Sequence, residues 1–306
     1  MPSDPISPEP KTQSQIGKQY SMTLQESAET LPAGLYIVST PIGNLRDITL
    51  RALDILAQID HILAEDTRQS ARLLGHYDIQ TSLSAYHDHN AAKRIPKLIE
   101  TLKEGQSLAL ISDAGTPLIS DPGYKLVRAA IDADIKVTPI PGASAVLAAL
   151  TLSGLPSDSF TFGGFLPAKK TARQKHLARY KTQGGTLMFF ETGPRLAASL
   201  QDIIHVLGDR QGALTRELTK FYEEARYGHI SEIAQSVQDD PPKGEIVLCI
   251  GPDDAKHIWD EAQIIAALPE EISLYGVKRA SEYLATLSGW AKRDIYKLAL
   301  KIKDDV

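Results

Sequence analysis

Three short loops rich in Gly, Pro and Ser constrain this chain more than any other feature: Ser39-Thr-Pro-Ile-Gly-Asn44, Ser112-Asp-Ala-Gly-Thr-Pro117 and Pro139-Ile-Pro-Gly-Ala-Ser144. Each follows an apolar run and precedes a segment of helical periodicity, so each is expected at the carboxyl end of a strand. In an open α/β sheet that edge binds small ligands, because glycine lets backbone approach the ligand and the next helix offers free N–H groups. The loops are therefore expected to build a nucleotide-like cofactor site.

The pattern repeats as strand, loop, helix. Leu35–Val38 runs into the first loop, and Ile48, Ala52, Leu53, Leu56 and Ile59 then recur at helical spacing. His61–Ala64 reads as a second strand, with Asp66 or Thr67 as helix cap and Gly75 as its stop. Leu108–Ile111 and Lys136–Ile140 are strands leading to the second and third loops, followed by helices at about 122–133 and 143–152, the latter closed by Gly154. Strands alternating with helices predict a mainly parallel sheet.

Leu155-Pro156-Ser157 reads as a joint. Beyond it come strands at 160–162, 186–190, 212–215 and 245–250, with helices near 170–182, 195–206 and 230–238. Several of these connections are too short for parallel crossovers, which predicts a mixed sheet. Val277, Ala280, Leu284 and Leu287 form one amphipathic stripe and Ala291, Ile295, Leu298 and Ile302 another, giving a helical hairpin around Ser288-Gly289. The expected organisation is a disordered tail over 1–32, α/β domains over 33–154 (parallel open sheet) and 155–253 (mixed sheet), and a small helical extension over 254–306. The tail expectation rests on four prolines and scant apolar periodicity in its first 31 residues.

Composition narrows the class. With 42% hydrophobic and 23% charged residues the chain has the profile of a globular protein, and no apolar stretch approaches the ~18 residues of a membrane span. A cytoplasmic location without membrane contact is expected. Cys249, the only cysteine, sits in an apolar strand and admits no intrachain disulfide. The net charge of −5 conceals a basic end, since residues 275–306 hold seven Lys or Arg against four Asp or Glu.

No two glycines are spaced G-x-G and no G-x-x-x-x-G-K-[ST] occurs, which disfavours dinucleotide and P-loop enzymes. His87 and His89 have a chelating i, i+2 spacing, but without a further Cys or His cluster YHDHN reads as a polar loop and no metal is expected. Glu65-Asp66-Thr67-Arg68 follows a strand at the loop edge, and Asp66 and Arg68 are candidates for ribose or phosphate chemistry; a capping Asp66 and a surface-paired Arg68 explain them equally simply. Glu217, Lys220 and Glu223 in RELTKFYEE read as a solvated charged helix face or as further base candidates. A dedicated base is not required by the sequence.

Residues 169–181 carry Lys169, Lys170, Arg173, Lys175, Arg179 and Lys181 and no acid. They read either as a solvated helix face or as a phosphate-binding surface beside the cleft. Lys278, Arg279, Lys292, Arg293 and Lys297 of the terminal hairpin form a second candidate nucleic-acid surface.

The runs STPIGNLRDITLRAL (39–53), AEDTRQSARLL (64–74), SDAGTPLISDPG (112–123), PIPGASAVLAAL (139–150), GGFLPAKK (163–170), FFETGPRL (189–196) and KGEIVLCIGP (243–252) together resemble the ribosomal RNA small-subunit methyltransferase I family of the tetrapyrrole methylase superfamily. The resemblance runs in order from about residue 33 to the end. It implies two α/β domains of tetrapyrrole-methylase type, a homodimer, and S-adenosylmethionine bound in the cleft between domains. It implies methyl transfer to the 2′-oxygen of a cytidine, cytidine 1402 in the family, in the decoding region of 16S rRNA within the 30S subunit. Carried over motif by motif, Pro41, Gly43 and Asn44 border the methyl donor, and Asp113, Ala114, Gly115, Thr116 and Ile119 form a central wall. Ser144 and Ala145 continue it, while Phe190, Glu191, Lys243, Gly244 and Glu245 approach from the second domain. Many relatives carry Ser-Pro-His-Arg-Leu where this chain has Thr192-Gly-Pro-Arg-Leu196, so any role of that histidine does not transfer. The competing readings are a methylase of corrin or sirohaem precursors, and a ligand-sensing DNA-binding regulator that reads DNA with the terminal hairpin.

Overall fold

The computed structural model describes residues 31–253 and 259–304. They fall into two compact units, one up to Gly251 and one from Pro252 onward. The expected disordered tail lies outside the described residues except for Leu31 and Pro32, which are anchored: Leu31 packs against the first core and the Tyr36 hydroxyl donates to the Pro32 carbonyl at 2.8 Å.

The first unit contains two five-stranded sheets. In the first, β1 (Gly34–Val38), β2 (His61–Ala64), β3 (Leu83–Ala85), β4 (Ser107–Ile111) and β5 (Val137–Ile140) pair in the order β3-β2-β4-β1-β5, every pair parallel. Period-2 alternation sends side chains to opposite faces. Tyr36, Val38, Ala109 and Ile111 meet α1 (Leu50–Gln58) and α2 (Thr67–His76), while Leu35, Leu108 and Leu110 meet α3 (Asp88–Lys103) and α4 (Tyr124–Asp132). Pro139, which cannot donate to a ladder, lies on the edge strand β5.

The segment read as a polar loop at YHDHN is instead the start of α3. The His87 amide donates to Asn90 Oδ1 at 3.1 Å, a reciprocal cap that closes the first turn, and β3 precedes it. Gly75 does not stop α2, which runs on to His76.

The second sheet has the order β6-β7-β10-β8-β9, built from β6 (Phe160–Phe165), β7 (Thr186–Thr192), β8 (Gln211–Arg216), β9 (Glu224–His229) and β10 (Glu245–Ile250). Only the β6–β7 pair is parallel. One face carries α6 (Lys170–Ala178), α7 (Gly193–Leu207) and α8 (Ile230–Asp239) over Leu187, Phe189, Ile246, Leu248 and Ile250. The other face receives α5 (Ala145–Ser153), whose Val146, Ala149 and Leu150 pack on Met188, Ala213, Val247 and Cys249. Helix α5 leaves the first sheet by a serine cap, crosses to the second, and ends at Gly154 in left-handed conformation. The Cys249 thiol lies wholly inside this joint, and burial pushes its pKa up to about 12, so it is chemically inert.

Residues 217–223, read as a helix face, form a tight turn instead, with Glu217 and Thr219 at positive φ, and the half-buried strand β9 follows. In the second unit α9 (Glu261–Ser288) is broken at Gly276, with φ 74° and ψ 159°, and α10 (Lys292–Asp304) packs on it through Ile264, Leu268, Leu284, Ile295 and Ala299. The extension thus has three helical segments where the sequence suggested two, and Leu287 of the expected stripe is exposed. No helix among the described residues is long and apolar enough to cross a membrane.

Arg173 corrects the reading of the basic run. The residue is 4% exposed, with Nε donating to Asp202 Oδ2 at 2.7 Å and Nη1 donating to the Pro167 and Ala168 carbonyls. Arg173 holds α6 against α7 and is closed to RNA phosphate. Breaking a buried pair from one side strands the other charge, so Arg173→Ala is expected to cost ~3–5 kcal/mol in urea unfolding, with a smaller loss in an Arg173→Met/Asp202→Leu double variant.

Candidate active site

The three glycine loops converge. Thr40 and Gly115 form an antiparallel bridge, with Thr40 N–H donating to Gly115 at 2.8 Å and Gly115 N–H donating back at 3.0 Å. A Cβ on Gly142 would stand 2.8 Å from Ser39 Cβ, so only glycine allows the third loop to close on the first. Thr116 Oγ1 donates to the Ala143 carbonyl at 3.1 Å and contacts Ser39 Oγ at 3.1 Å, tying all three together.

In front of these loops, between them and the adjoining ends of β7 and β10, lies a cavity of about 370 Å³. That is the size range of small-molecule sites. Asp113, Ala114, Gly115, Thr116 and Ile119 form its first wall, Ser144 and Ala145 at the start of α5 the second, and Phe190, Glu191 and Glu245 the third. Ile42, Val146, Phe165, Leu218 and Val247 add apolar surface.

Other sequence candidates stand outside this lining. Pro41 is buried behind Ile42. Asn44 N–H donates to Thr219 Oγ1 at 3.0 Å, and Gly43 lies against Thr219 and Lys220, so these two residues clasp the 217–223 turn. Lys243 is exposed, and Gly244 makes room for Glu217, whose carboxylate accepts from Glu245 N–H and Lys220 Nζ at 3.0 and 3.1 Å. Glu191 is buried and its carboxylate is already engaged by Ser199 Oγ at 2.5 Å, Thr192 N–H at 2.8 Å and Arg195.

Asp66 and Arg68 are likewise outside the cavity wall. Asp66 caps α2 and pairs with the exposed Arg68 at 2.8 Å; the hydrogen bonds from the Arg68 side chain and amide hold its carboxyl at about 2. A carboxylate so stabilised is a weak base, and the Asp66–Arg68 candidacy for catalysis gives way to capping. What Asp66 contributes is its N–H, which donates to Asp113 Oδ1 at 2.9 Å and fixes that side chain.

Five acids line the cavity, of which Glu191 is engaged by Ser199, Thr192 and Arg195 and Glu245 by Lys220, leaving Glu65, Asp113 and Asp121; no Lys, Arg or His lines it among the described residues. Glu65 stood in the Glu65–Arg68 run that the sequence singled out, but the candidates taken from it were Asp66 and Arg68, and Asp121 in the second loop motif was not singled out; burial and mutual proximity mark both acids. Burial, then the Glu65 and Asp113 charges, push Asp121 up to about 6, tempered by the Ser112 hydroxyl. Burial, Asp113 and Asp88 raise Glu65 as well. Leu118 and Ser120, with φ of 74° and 68°, hold this loop in a left-handed conformation unfavourable to side-chain-bearing residues. Such a cavity, apolar over much of its lining and carrying unpaired carboxylates, suits a ligand with an aromatic part and a positive charge. The described residues contain no His, Cys, Asp and Glu cluster able to hold a metal ion.

A family model for tetrapyrrole (corrin/porphyrin) methylases matches residues 34–234. Over 90% of its length the chain is 50% identical to 95% of "Ribosomal RNA small subunit methyltransferase I" of Mesorhizobium japonicum. Over 89% it is 46% identical to 97% of the protein of the same name from Vibrio cholerae serotype O1. The chain belongs to this methyltransferase family. In fold it is similar to uroporphyrin-III C-methyltransferase from Thermus thermophilus, solved with S-adenosyl homocysteine, at a TM-score of 0.50 and 17% identity over 71% of this chain and 97% of that one.

The raised Asp121 pKa carries a stability signature. The native state binds this proton up to about pH 6 while the unfolded chain releases it near ~3.9, so stability falls as pH rises through that window. Asp121→Asn is expected to melt higher than the parent at pH 7, with the two curves merging near pH 4.

Proposed function

We propose that this protein transfers a methyl group from S-adenosylmethionine to the 2′-hydroxyl of a cytidine, cytidine 1402, in the decoding region of 16S rRNA. The observation that carries this reading is the cavity itself: three convergent loops, apolar walls and a carboxylate cluster with no opposing base, in a chain half-identical to a named rRNA methyltransferase. When bound, S-adenosylmethionine supplies an electrophilic methyl on a positively charged sulfur. Ile42, Val146, Phe190, Leu218 and Val247 give its aromatic part apolar surface, and Asp113, Glu65 and Asp121 complement positive charge. The same carboxylates argue against a corrin or sirohaem precursor, whose many acid groups would face like charge.

A 2′-hydroxyl is a weak acid, and we assign the taking of its proton to Asp121, a cavity-lining carboxylate whose pKa is raised to about 6. Asp113 is pinned by the Asp66 amide and serves to orient. We further assign the reaction to the small ribosomal subunit in the cytoplasm, carried out by a homodimer.

Purified protein given labelled S-adenosylmethionine and either 30S subunits or deproteinised 16S rRNA should place label on one cytidine, where the methylated ribose resists alkaline cleavage. Label on a porphyrinoid and none on RNA refutes the reading. In the same assay kcat should rise with pH to a plateau, with a midpoint at or below about 6, because a bound cation lowers the Asp121 pKa. Asp121→Asn should lose ~10²–10⁴-fold in kcat and lose that limb.

Lys169, Lys170, Lys175 and Arg179 are exposed along α6 and offer charge to the RNA backbone. Lys278 and Arg279 are exposed on α9, whereas Lys292 pairs with Glu282 and Arg293 lies 3.6 Å from Asp294. Replacing Lys169, Lys170 and Lys175 with Ala should weaken RNA binding and flatten its log–log salt dependence by ~0.7 per lost single-strand phosphate contact. An unchanged slope would remove α6 from the interface.

A further inference from the structure

The strand β6 breaks register with β7 between Phe162 and Phe165. Gly163 and Gly164 occupy the break. Gly163 lies directly against the Phe189 ring, and Gly164, at φ 70°, comes near the loop that carries Asp121: a Cβ there would stand 3.7 Å from Ser120 Oγ. A bulge of this kind re-aims the next side chain, and such bulges occur beside active sites. Here it re-aims Phe165. An aromatic ring that regular pairing would have committed to one sheet face stands instead on the cavity lining while remaining 52% exposed.

The ring is held but not covered. Its centroid is 5.3 Å from that of Phe190 at an interplanar angle of 63°, and Phe190 is wedged in turn against Phe162 at 4.7 Å. The next residue, Leu166, is 1% exposed and donates its amide to the Phe190 carbonyl, fixing the backbone beside the ring. A preorganised aromatic ring, half open on the lining of the cavity, incurs a hydrophobic exposure that folding alone does not require. Four and five residues further along, Lys169 and Lys170 are exposed and make no ion pair among the described residues. Aromatic surface followed at once by free positive charge is the arrangement that takes a stacked base together with its phosphate.

We propose that Phe165 is the stacking platform for the base of the target nucleotide, an unpaired pyrimidine turned out of the RNA, with Lys169 and Lys170 on its phosphate side. The proposal rests on the rRNA methyltransferase reading above and extends it to the substrate half of the cavity. It divides the site. Phe190 and the loops line the inner part, and the bulged end of β6, beside the Ser120–Asp121 loop, receives the base so that its ribose reaches Asp121. Stacking tolerates any base, so specificity at this ring is for an unpaired, extruded nucleotide.

The experiment compares Phe165→Ala, Phe165→Leu and Phe165→Trp with the parent, after thermal melting has established that each folds. Three readouts are taken: KM and kcat for methylation of 30S subunits, the dissociation constant of S-adenosyl homocysteine by calorimetry, and sedimentation. The expected result is a rise of roughly tenfold or more in the RNA KM for Phe165→Ala, the effect of losing one stacked base. Phe165→Leu should be impaired almost as much, Phe165→Trp near the parent, and cofactor affinity and oligomeric state unchanged in all. A parent carrying 5-iodocytidine-substituted RNA should photocrosslink at Phe165.

Three outcomes overturn the assignment. An equal KM in Phe165→Ala means that the ring touches no base. A matching loss of S-adenosyl homocysteine affinity means that it holds the cofactor. A shift in sedimentation means that it belongs to an interface with a second copy. Failure of the parent protein to label any RNA would refute the functional reading itself, a result distinct from each of these.

Discussion

The stitching of three loops into one wall is the constraint on which the site depends. Thr40 and Gly115 exchange backbone hydrogen bonds across neighbouring parallel strands, Gly142 lets the third loop lie on Ser39, and the Thr116 hydroxyl binds the carbonyl of Ala143. Thr40, Gly115 and Thr116 satisfy backbone polar groups of the loops, and Gly142 leaves the room that lets the third loop close on the first. The wall so made fixes where α5 begins. From there the helix is directed away from the first sheet and onto the second, where Val146, Ala149 and Leu150 join the apolar joint. Loop geometry and domain packing are therefore one structural fact: disturbing the wall would displace the helix that binds the halves together.

A second clasp closes the joint from the opposite side. The turn at 217–223 carries Leu218 into the cavity wall while Thr219 accepts from Asn44 N–H, and Lys220 bridges Glu217 and Glu245 at 3.1 and 2.7 Å. Those partners hold the Glu217 carboxyl below and the Lys220 ammonium above their ordinary ranges. The half-exposed pairs add modest energy, since exposed ion pairs are worth little. Their effect is positional. They seat an irregular turn, with two side-chain-bearing residues at positive φ, where a ligand would otherwise meet a mobile edge.

Elements with strong apolar periodicity were legible in the sequence: β1, β2, β4 and β10 stand within a residue of where the apolar runs put them, and the mixed order of the second sheet follows from short connections. What escaped reading was polar at its start or charged along its length. His87-Asp88-His89-Asn90 looks like a loop because capping residues are polar, yet polarity is what a helix N-terminus requires. Strand β9, EARYGH, is half buried at a sheet edge, so its charges obscure the alternation. The first part of α9 lacks a clean stripe because it is interrupted by Pro269 and broken at Gly276.

The site divides along the same line. Motifs marked by glycine and proline could be read because backbone demands are local, and Asp113 and Ser144 came with them. Glu65, Asp121 and Phe165 depend on what lies across the cavity, and one-dimensional pattern does not encode that. Asp121 gains its raised pKa from burial first and then from Glu65 and Asp113, which β2 and β4 bring beside it, and Phe165 reaches the cavity where two glycines break the ladder with β7. Both features work against stability taken alone: a carboxylate beside two others, and an aromatic ring left half in water. Each is held by its neighbours, Asp121 by a loop with left-handed Leu118 and Ser120, Phe165 by edge-to-face contact with Phe190, which lies in turn against Phe162. Local costs supported by a stiff surround are what a binding cavity requires, because groups already satisfied within the fold have nothing left to offer a ligand. Glu191 illustrates the converse: lining the same cavity, it spends its carboxylate on Ser199, Thr192 and Arg195 and so secures the wall.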